Sequence, residues 1–137
     1  MGAHVLGRRG ASLAIVVALA AVAGCANSQE GDVERVADSF YSAIGSRDGA
    51  AACDVLAPET ASELEQSSGE TCAEAVLSEG LSATGEPGSA RVFGTMAQVR
   101  YGDDTVFLAR FRSGWLVMAA SCVPQAHDRY DCRIKGA

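Results

Sequence analysis

Residues 33–44 read Val-Glu-Arg-Val-Ala-Asp-Ser-Phe-Tyr-Ser-Ala-Ile, and their apolar members recur at the spacing of one helix face. Apolar or aromatic residues fill the first, fourth, fifth, eighth, ninth and twelfth positions of this stretch, which is the pattern of an amphipathic helix with one buried side. Gly45 follows and is suited to end the helix. We therefore predict a helix here that covers one side of a core.

Three shorter helices are predicted after it. Residues 50–56 form the first, which stops before Pro58 because a residue that precedes proline avoids the helical region. Thr60 and Thr71 each stand three residues before a Glu, the spacing of a capping box. These two signals predict helices near residues 60–66 and 71–79.

Beyond the Gly-Glu-Pro-Gly sequence at 85–88 the pattern becomes that of β-strands. Segments rich in β-branched and aromatic residues are separated by turn sequences at 102–104 and 113–114. They predict an antiparallel meander, to which residues 130–134 add a last strand or a short return. The four main strands are predicted at Val92–Phe93, Met96–Tyr101, Thr105–Arg112 and Trp115–Cys122.

Both faces of this predicted sheet carry apolar side chains. On the third strand Val106 and Leu108 oppose Phe107, Ala109 and Phe111; on the fourth, Trp115, Val117 and Ala119 oppose Leu116, Met118 and Ala120. Two apolar faces both require covering. The long helix covers one face, and the other needs the short helices, a curled sheet or a second copy of the protein.

The chain has 137 residues, and its charge is divided between two halves. Between residues 26 and 90 there are 13 acidic and 2 basic residues, against 4 acidic and 7 basic ones between 91 and 137. The simplest interpretation is that acidic helix surfaces keep the protein soluble while arginines of the sheet pair with them. The acidic balance of the whole chain disfavours a general nucleic-acid partner.

The N-terminal segment has the form of a bacterial lipoprotein leader. Arg8 and Arg9 give it positive charge, and residues 11–23 form an apolar run that ends in small side chains. The run is too short for a transmembrane helix, which needs about 20 apolar residues. It closes with Val22-Ala-Gly-Cys25, which matches a lipobox.

The lipobox predicts three segments. Residues 1–24 are a lipoprotein signal peptide, residues 25–32 are the lipidated Cys25 and a polar tether, and residues 33–137 form one domain. Two or three acyl chains on one cysteine would hold the protein durably on the extracytoplasmic face of the cell membrane. The alternative is an ordinary secreted protein that the general signal peptidase cuts.

Setting Cys25 aside leaves an even number of cysteines, namely Cys53, Cys72, Cys122 and Cys132. In a chain exported to an oxidising compartment this number predicts two disulfides. Of the three possible pairings the local one is favoured, Cys53 with Cys72 and Cys122 with Cys132. The alternative is a zinc site, but the spacings lack a C-x-x-C motif, so we predict no metal.

No catalytic set can be recognised from the spacing of residues. His127 with Asp128 and Asp131 is the one cluster of histidine with carboxylates after the leader, and it is interpreted as a solvated loop. Arg110 shares a face with Val106 and Leu108, so it either binds an anionic ligand inside the fold or pairs with a helix acid such as Glu34 or Asp38. Tyr41, Arg110 and Trp115 are the candidate pocket residues, with Phe40 and Phe107 as conceivable neighbours. No cofactor is predicted.

Two stretches carry a resemblance to a known superfamily. The opening from Val36 to Pro58, with its aromatic-bearing helix, loop Asp48 and Ala-rich second helix, resembles the first helices of nuclear transport factor 2-like proteins. The end, Gly114-Trp-Leu-Val and Ala119 to Cys132, resembles small lipoproteins of high-GC Gram-positive bacteria. The resemblance implies an α+β fold in which N-terminal helices pack against a curved, cone-shaped antiparallel sheet.

The same resemblance implies no single activity, because that superfamily contains isomerases, cyclases, dehydratases and many binding domains. Our first hypothesis is a non-enzymatic lipoprotein that binds an envelope protein or a small hydrophobic ligand. The second is a small enzyme, of isomerase or cyclase type, that uses a hydrophobic pocket inside the cone. The third is a structural role through a homodimer formed by the exposed sheet face.

Overall fold

The computed structural model describes residues 14–82 and 88–136, with side chains described from residue 28 onward. Arg8, Arg9 and the side chain of Cys25 therefore lie outside the described part. Within it the fold is α+β, with four helices followed by a five-stranded antiparallel sheet. The elements are α1 (Ala14–Gly45), α2 (Gly49–Asp54), α3 (Pro58–Ser68), α4 (Cys72–Ser78), β1 (Ser89–Phe93), β2 (Met96–Tyr101), β3 (Asp104–Phe111), β4 (Gly114–Gln125) and β5 (Arg129–Lys135).

Helix α1 buries the face that its sequence predicts and ends at Gly45 as expected. Val33, Ala37 and Phe40 are fully buried, and Tyr41 and Ile44 are nearly so. The helix also runs without a break through residues 25–32, the segment predicted to be a tether. The hydrophobic core lies within residues 33–134, so a chain that starts at Cys25 contains all of it. Among the described residues, no helix combines the length and apolarity needed to cross a membrane.

The short helices confirm one of the two predicted capping boxes. At the start of α4, the Glu74 carboxylate accepts from the Thr71 amide at 3.3 Å, as the box requires. The prediction for Thr60 is wrong, because α3 begins at Pro58, a residue suited to the first turn of a helix. Thr60 lies inside the helix, fully buried, and its hydroxyl donates to the Met118 carbonyl at 2.9 Å.

Both predicted disulfides are present. Cys53 of α2 is bonded to Cys72, the first residue of α4, and Cys122 is bonded to Cys132 across β4 and β5. The first bridge pins α2 to α4, and the second joins strands that are already neighbours. All four of these cysteines are therefore occupied by bonds to one another.

The strands follow one another in the sheet in the order β1-β2-β3-β4-β5. Because each pair is antiparallel, the β1–β2 and β3–β4 turns lie at one end of the sheet, and the β2–β3 and β4–β5 turns lie at the other. Residues 130–134 belong to a full fifth strand. Where β5 ends, residues 55–57 continue along the edge of β4: Val117 donates to the Val55 carbonyl and accepts from the Ala57 amide, both at 2.8 Å.

Strand β4 departs from the predicted alternation of faces. Its register against β3 shifts on both sides of the pair formed by Phe107 and Ala119. As a result Ala120 is fully buried, whereas Ala119, predicted to share a face with Trp115 and Val117, is only partly buried. Such bulges bend a strand and increase its twist.

Candidate functional site

A partly buried polar cluster joins α1 to the β2–β3 hairpin. Helix α1 supplies Asp38 and Tyr41, which lie on adjacent turns, and the hairpin supplies Tyr101 and Asp104 on either side of its turn. Tyr41 donates to Asp104, and Tyr101 donates to Asp38 at 2.6 Å. The helix and the hairpin therefore each supply one phenol donor and one carboxylate acceptor. We call these four residues the tyrosine–aspartate clamp.

The clamp also supports the irregular part of β4. The Tyr41 oxygen accepts from the Ser121 amide at 3.3 Å, and the second oxygen of Asp104 accepts from the Cys122 amide at 3.1 Å. Ser121 has a φ of 53°, a conformation that few non-glycine residues adopt and that turns its amide out of the regular ladder. The clamp thus satisfies two amides at the place where β4 leaves its register.

Burial changes the acidity of the clamp residues. Tyr41 and Tyr101 are 3% and 8% exposed, and loss of hydration raises the pKa of both phenols well above the usual 10.0. Their hydrogen bonds to carboxylates, and the negative charge of those carboxylates, raise these pKa values further. Burial also raises the pKa of Asp104, although the hydrogen bonds from Tyr41 and the Cys122 amide act in the opposite direction.

These properties suit a structural contact better than proton transfer. A phenol with a raised pKa stays protonated and remains a donor at neutral pH. Both oxygens of Asp104 already accept hydrogen bonds, from Tyr41 and from the Cys122 amide. The Tyr41 and Tyr101 rings also meet edge to face at 5.4 Å, so the space between the two pairs is filled by aromatic carbon.

The structure does not bring the predicted pocket residues together. Tyr41 lies toward the β2–β3 turn through its bond to Asp104, whereas Arg110 and Trp115 are paired next to the β3–β4 turn, at the opposite end of the sheet. Trp115 is 7% exposed and fills the core. Phe107 lies on the other face of β3, where its ring contacts Tyr130 at 4.8 Å.

Arg110 is exposed, and neither Glu34 nor Asp38 forms an ion pair with it. Glu34 instead accepts from the Ala90 amide at 3.2 Å, and Asp38 accepts from Tyr101. The Arg110 guanidinium lies 6.0 Å from the Trp115 ring, at the outer limit of a cation–π contact. The expectation of a pair with a helix acid is therefore wrong, because backbone and phenol donors reach both carboxylates first.

Two further surfaces carry groups of ionisable side chains. His127, Asp128 and Asp131 are all exposed in and beside the β4–β5 turn, as the loop interpretation predicts. An open groove runs along α1 and reaches α2, and its carboxylates are Glu34, Asp38 and Asp48. Asp48 is engaged there as the N-cap of α2, accepting from the Ala51 amide at 3.0 Å.

The tyrosine–aspartate clamp could not be predicted from the sequence. Its partners are separated by 63 residues in both pairs, so no local pattern connects them. The available signal was an Asp three residues before a Tyr on the helix and a Tyr three residues before an Asp at the turn. No protein-family model, no curated protein and no solved structure matches this chain.

Proposed function

We propose that this protein is a lipid-anchored, non-enzymatic interaction module on the extracytoplasmic face of the cell membrane, built on a cone-shaped fold of the nuclear transport factor 2-like type. The observation that carries the non-enzymatic part is the packing between α1 and the sheet. Phe40, Val106, Leu108 and Val117 are all fully buried there. A filled interior favours binding through the outer surface over binding in a central cavity.

The proposed cone shape is supported by the contacts between α1 and the sheet. The helix contacts β1, β2 and β4, which are spread across the width of the sheet. The register shifts in β4 supply the local bending that a wrapped sheet needs. Such bending agrees with the resemblance of residues 36–58 to the first helices of that superfamily.

A protein partner is supported by the exposed apolar side chains of the sheet. Each of the five strands carries one large apolar residue that is well exposed to solvent. They are Phe93, Met96, Phe111, Val123 and Tyr130. Apolar side chains spread over a surface suit a protein or a membrane better than they suit a small ligand, which needs a concave site. Val123 and Tyr130, near the β4–β5 turn, are the two that we assign to a protein partner. Another envelope protein is the partner class that we propose, and a homodimer through the sheet is the alternative.

The anchor is tested by cell fractionation in an actinobacterial host. We expect Cys25→Ala to move the protein from the membrane to the soluble or precursor fraction, while Asn27→Ala, just beyond the lipobox, leaves it in the membrane. The mass of the N-terminal peptide of the wild-type protein should include acyl chains on Cys25. A wild-type peptide without lipid would refute the anchor.

The interaction is tested by photo-crosslinking in the same cells. A photoreactive residue in place of Tyr130, on the sheet, should give a discrete adduct, whereas the same residue in place of Gln66, on the exposed side of α3, should not. The adduct should disappear when Val123→Asp is added, because a charge would then be buried against the partner. Equal labelling from both sites would count against a specific partner.

An enzyme of isomerase or cyclase type is the second candidate, and the raised pKa of Asp104 favours it, because enzymes use such carboxyls for proton transfer. Against it stand the bonds that already occupy both oxygens of Asp104. Asp104→Asn separates the two candidates. An interaction module keeps its crosslinks in this variant as long as it folds, whereas a general acid or base would lose its role with the carboxyl.

A further inference from the structure

One end of the sheet combines exposed apolar side chains with arginines. It consists of the β1–β2 turn and the β3–β4 turn, which lie side by side because the Arg110 amide donates to the Thr95 carbonyl at 2.8 Å. Phe93, Met96 and Phe111 are 60%, 47% and 38% exposed there. Arg91, Arg110 and Arg112 are exposed beside them. We call these six residues the arginine end.

The apolar members of the arginine end share one face. Phe93 and Met96 are directly opposite in the β1–β2 ladder, so their side chains point to the same side. Met96 is in turn opposite Ala109, and Phe111 lies two residues further along β3, on that same side. Apolar side chains bordered by arginines are the composition of surfaces that rest in the interface of a bilayer.

The N-terminal part of α1 reaches the same end of the molecule. Gln29 and Glu30 line a recess together with Gly94 and Arg110. Cys25 precedes Gln29 by one helical turn, which corresponds to about 6 Å along the helix axis. A lipid on Cys25 would therefore enter the bilayer close to the arginine end.

Carboxylates outnumber arginines at the opposite end of the sheet. Asp103 and Asp104 lie at the β2–β3 turn, and Asp128 and Asp131 lie in and beside the β4–β5 turn, against Arg100 and Arg129. An anionic surface attracts arginines and repels carboxylates, and both effects turn the domain in the same direction. The position of the anchor and the distribution of charge thus favour the same orientation, with the arginine end toward the lipid.

We infer that the arginine end is a membrane-docking surface, which lies on the headgroups of a bilayer containing anionic phospholipid and buries Phe93 and Phe111 in its interface. The orientation rests on the proposed anchor at Cys25. A protein partner at this end would have to fit between the domain and the bilayer that holds it. A second copy would bring its own arginines against these, and like charges disfavour that contact.

The test uses the chain from Cys25 to Ala137, coupled through the Cys25 thiol to a maleimide phospholipid in vesicles of phosphatidylcholine and phosphatidylglycerol. Coupling is specific because the other four cysteines are in disulfides. Phe93→Trp reports on the arginine end, and Val123→Trp, at an exposed apolar site near the opposite end, is the matched control. Lipids with brominated acyl chains quench a tryptophan that lies in the interface.

We expect brominated lipid to quench the added Phe93→Trp fluorescence by roughly two-fold or more, because an interfacial aromatic lies at the level of the acyl boundary. The Val123→Trp signal should be unchanged, with the parent chain correcting for Trp115. Equal quenching at both sites, or none at position 93, would overturn the inference. So would a shift of the Phe93→Trp emission that appears without vesicles and follows protein concentration, since that would indicate a second copy.

Charge is tested with Arg91→Glu combined with Arg112→Glu, for which Arg129→Glu near the opposite end is the control. The double variant should lose the quenching at position 93, and the control should retain it; retention in both would refute the role of the arginines. Since the lipid is attached chemically, this result does not depend on whether cells lipidate Cys25. Failure of docking and failure of the anchor are therefore separate outcomes, and the mass of the native N-terminal peptide decides the second.

Discussion

Tyr41 donates a hydrogen bond to Asp104 across 63 residues of chain, and it fixes α1 to the β2–β3 turn and to the irregular part of β4 at once. The phenol has two hydrogen-bond partners, because its oxygen also accepts from the Ser121 amide. Asp104 in turn accepts from the Cys122 amide. Helix, hairpin and bulge are thus joined by one side chain that is 3% exposed.

Removal of this phenol should destabilise the protein clearly. We expect Tyr41→Phe to lower the free energy of unfolding by about 1–3 kcal/mol, because a partly buried carboxylate and the Ser121 amide lose a partner while the ring remains. Tyr130→Phe is the control, since Tyr130 is exposed and its ring contact with Phe107 is kept. Urea unfolding measures both, and equal effects of the two substitutions would refute the special role of Tyr41.

Asp104 should give the stability a pH dependence of a definite sign. Its pKa is raised in the fold above the usual 3.8, so between these two values the native state binds more protons than the unfolded state. The contribution of Asp104 to the free energy of unfolding is therefore present at low pH and is lost as the pH rises through the raised pKa. Asp104→Asn lacks this pH-dependent contribution to the free energy of unfolding.

The measurement is a series of urea titrations from about pH 4 to pH 7 on wild type and Asp104→Asn. The stability of the wild type relative to the variant should fall with rising pH. All other carboxylates are common to both chains, so they cancel to first order. A constant or increasing difference would show that the Tyr41 and Cys122 bonds outweigh burial at this carboxyl.

The periodicity of the sequence predicted the elements because each depends on local spacing. The buried face of α1, the strand positions and the local cysteine pairing follow from residues that are near neighbours in the chain. The sequence-based predictions were wrong where tertiary contacts determine the local structure. Thr60 has the spacing of a cap, but Pro58 starts α3 and Thr60 turns inward to Met118. Strand β4 loses its alternation where its register against β3 shifts.

The candidate site was less predictable than the fold, for the same physical reason. Arg110 was expected beside Glu34 or Asp38, yet those carboxylates are taken by the Ala90 amide and by Tyr101. Which donor reaches a carboxylate depends on how the sheet packs against α1, and spacing within one strand carries no information about that packing. Tyr41, expected as a candidate pocket residue, is a core residue whose hydroxyl donates to Asp104, and no local spacing identifies that partner.

Loss of the Thr105 hydroxyl is predicted to stabilise the protein. Its side chain is fully buried, and its Oγ1 has no hydrogen-bond partner. We expect Thr105→Val to raise the free energy of unfolding by about 1 kcal/mol, because the cost of burying an unpaired hydroxyl disappears. Thr60→Val is the matched control with the opposite sign, since the Thr60 hydroxyl is equally buried but donates to Met118. Destabilisation of similar size in both variants would refute this interpretation.

Gly49 is predicted to be required by the close approach of α2 to α4. A Cβ at this position would overlap the carbonyl group of Ala73, which is backbone and cannot rotate away. The Cys53–Cys72 disulfide holds the two helices together and prevents them from separating to make room. We expect Gly49→Ala to cost at least about 2 kcal/mol in unfolding free energy, within the range of overpacked sites.

Gly31→Ala is the control, because Gly31 lies in α1 with no atom within 4 Å of the added Cβ. There the substitution should stabilise by up to about 1 kcal/mol, through the higher helix propensity of alanine. If Gly49→Ala were tolerated as well as Gly31→Ala in thermal or urea unfolding, α2 and α4 could not lie as close together as the structure has them.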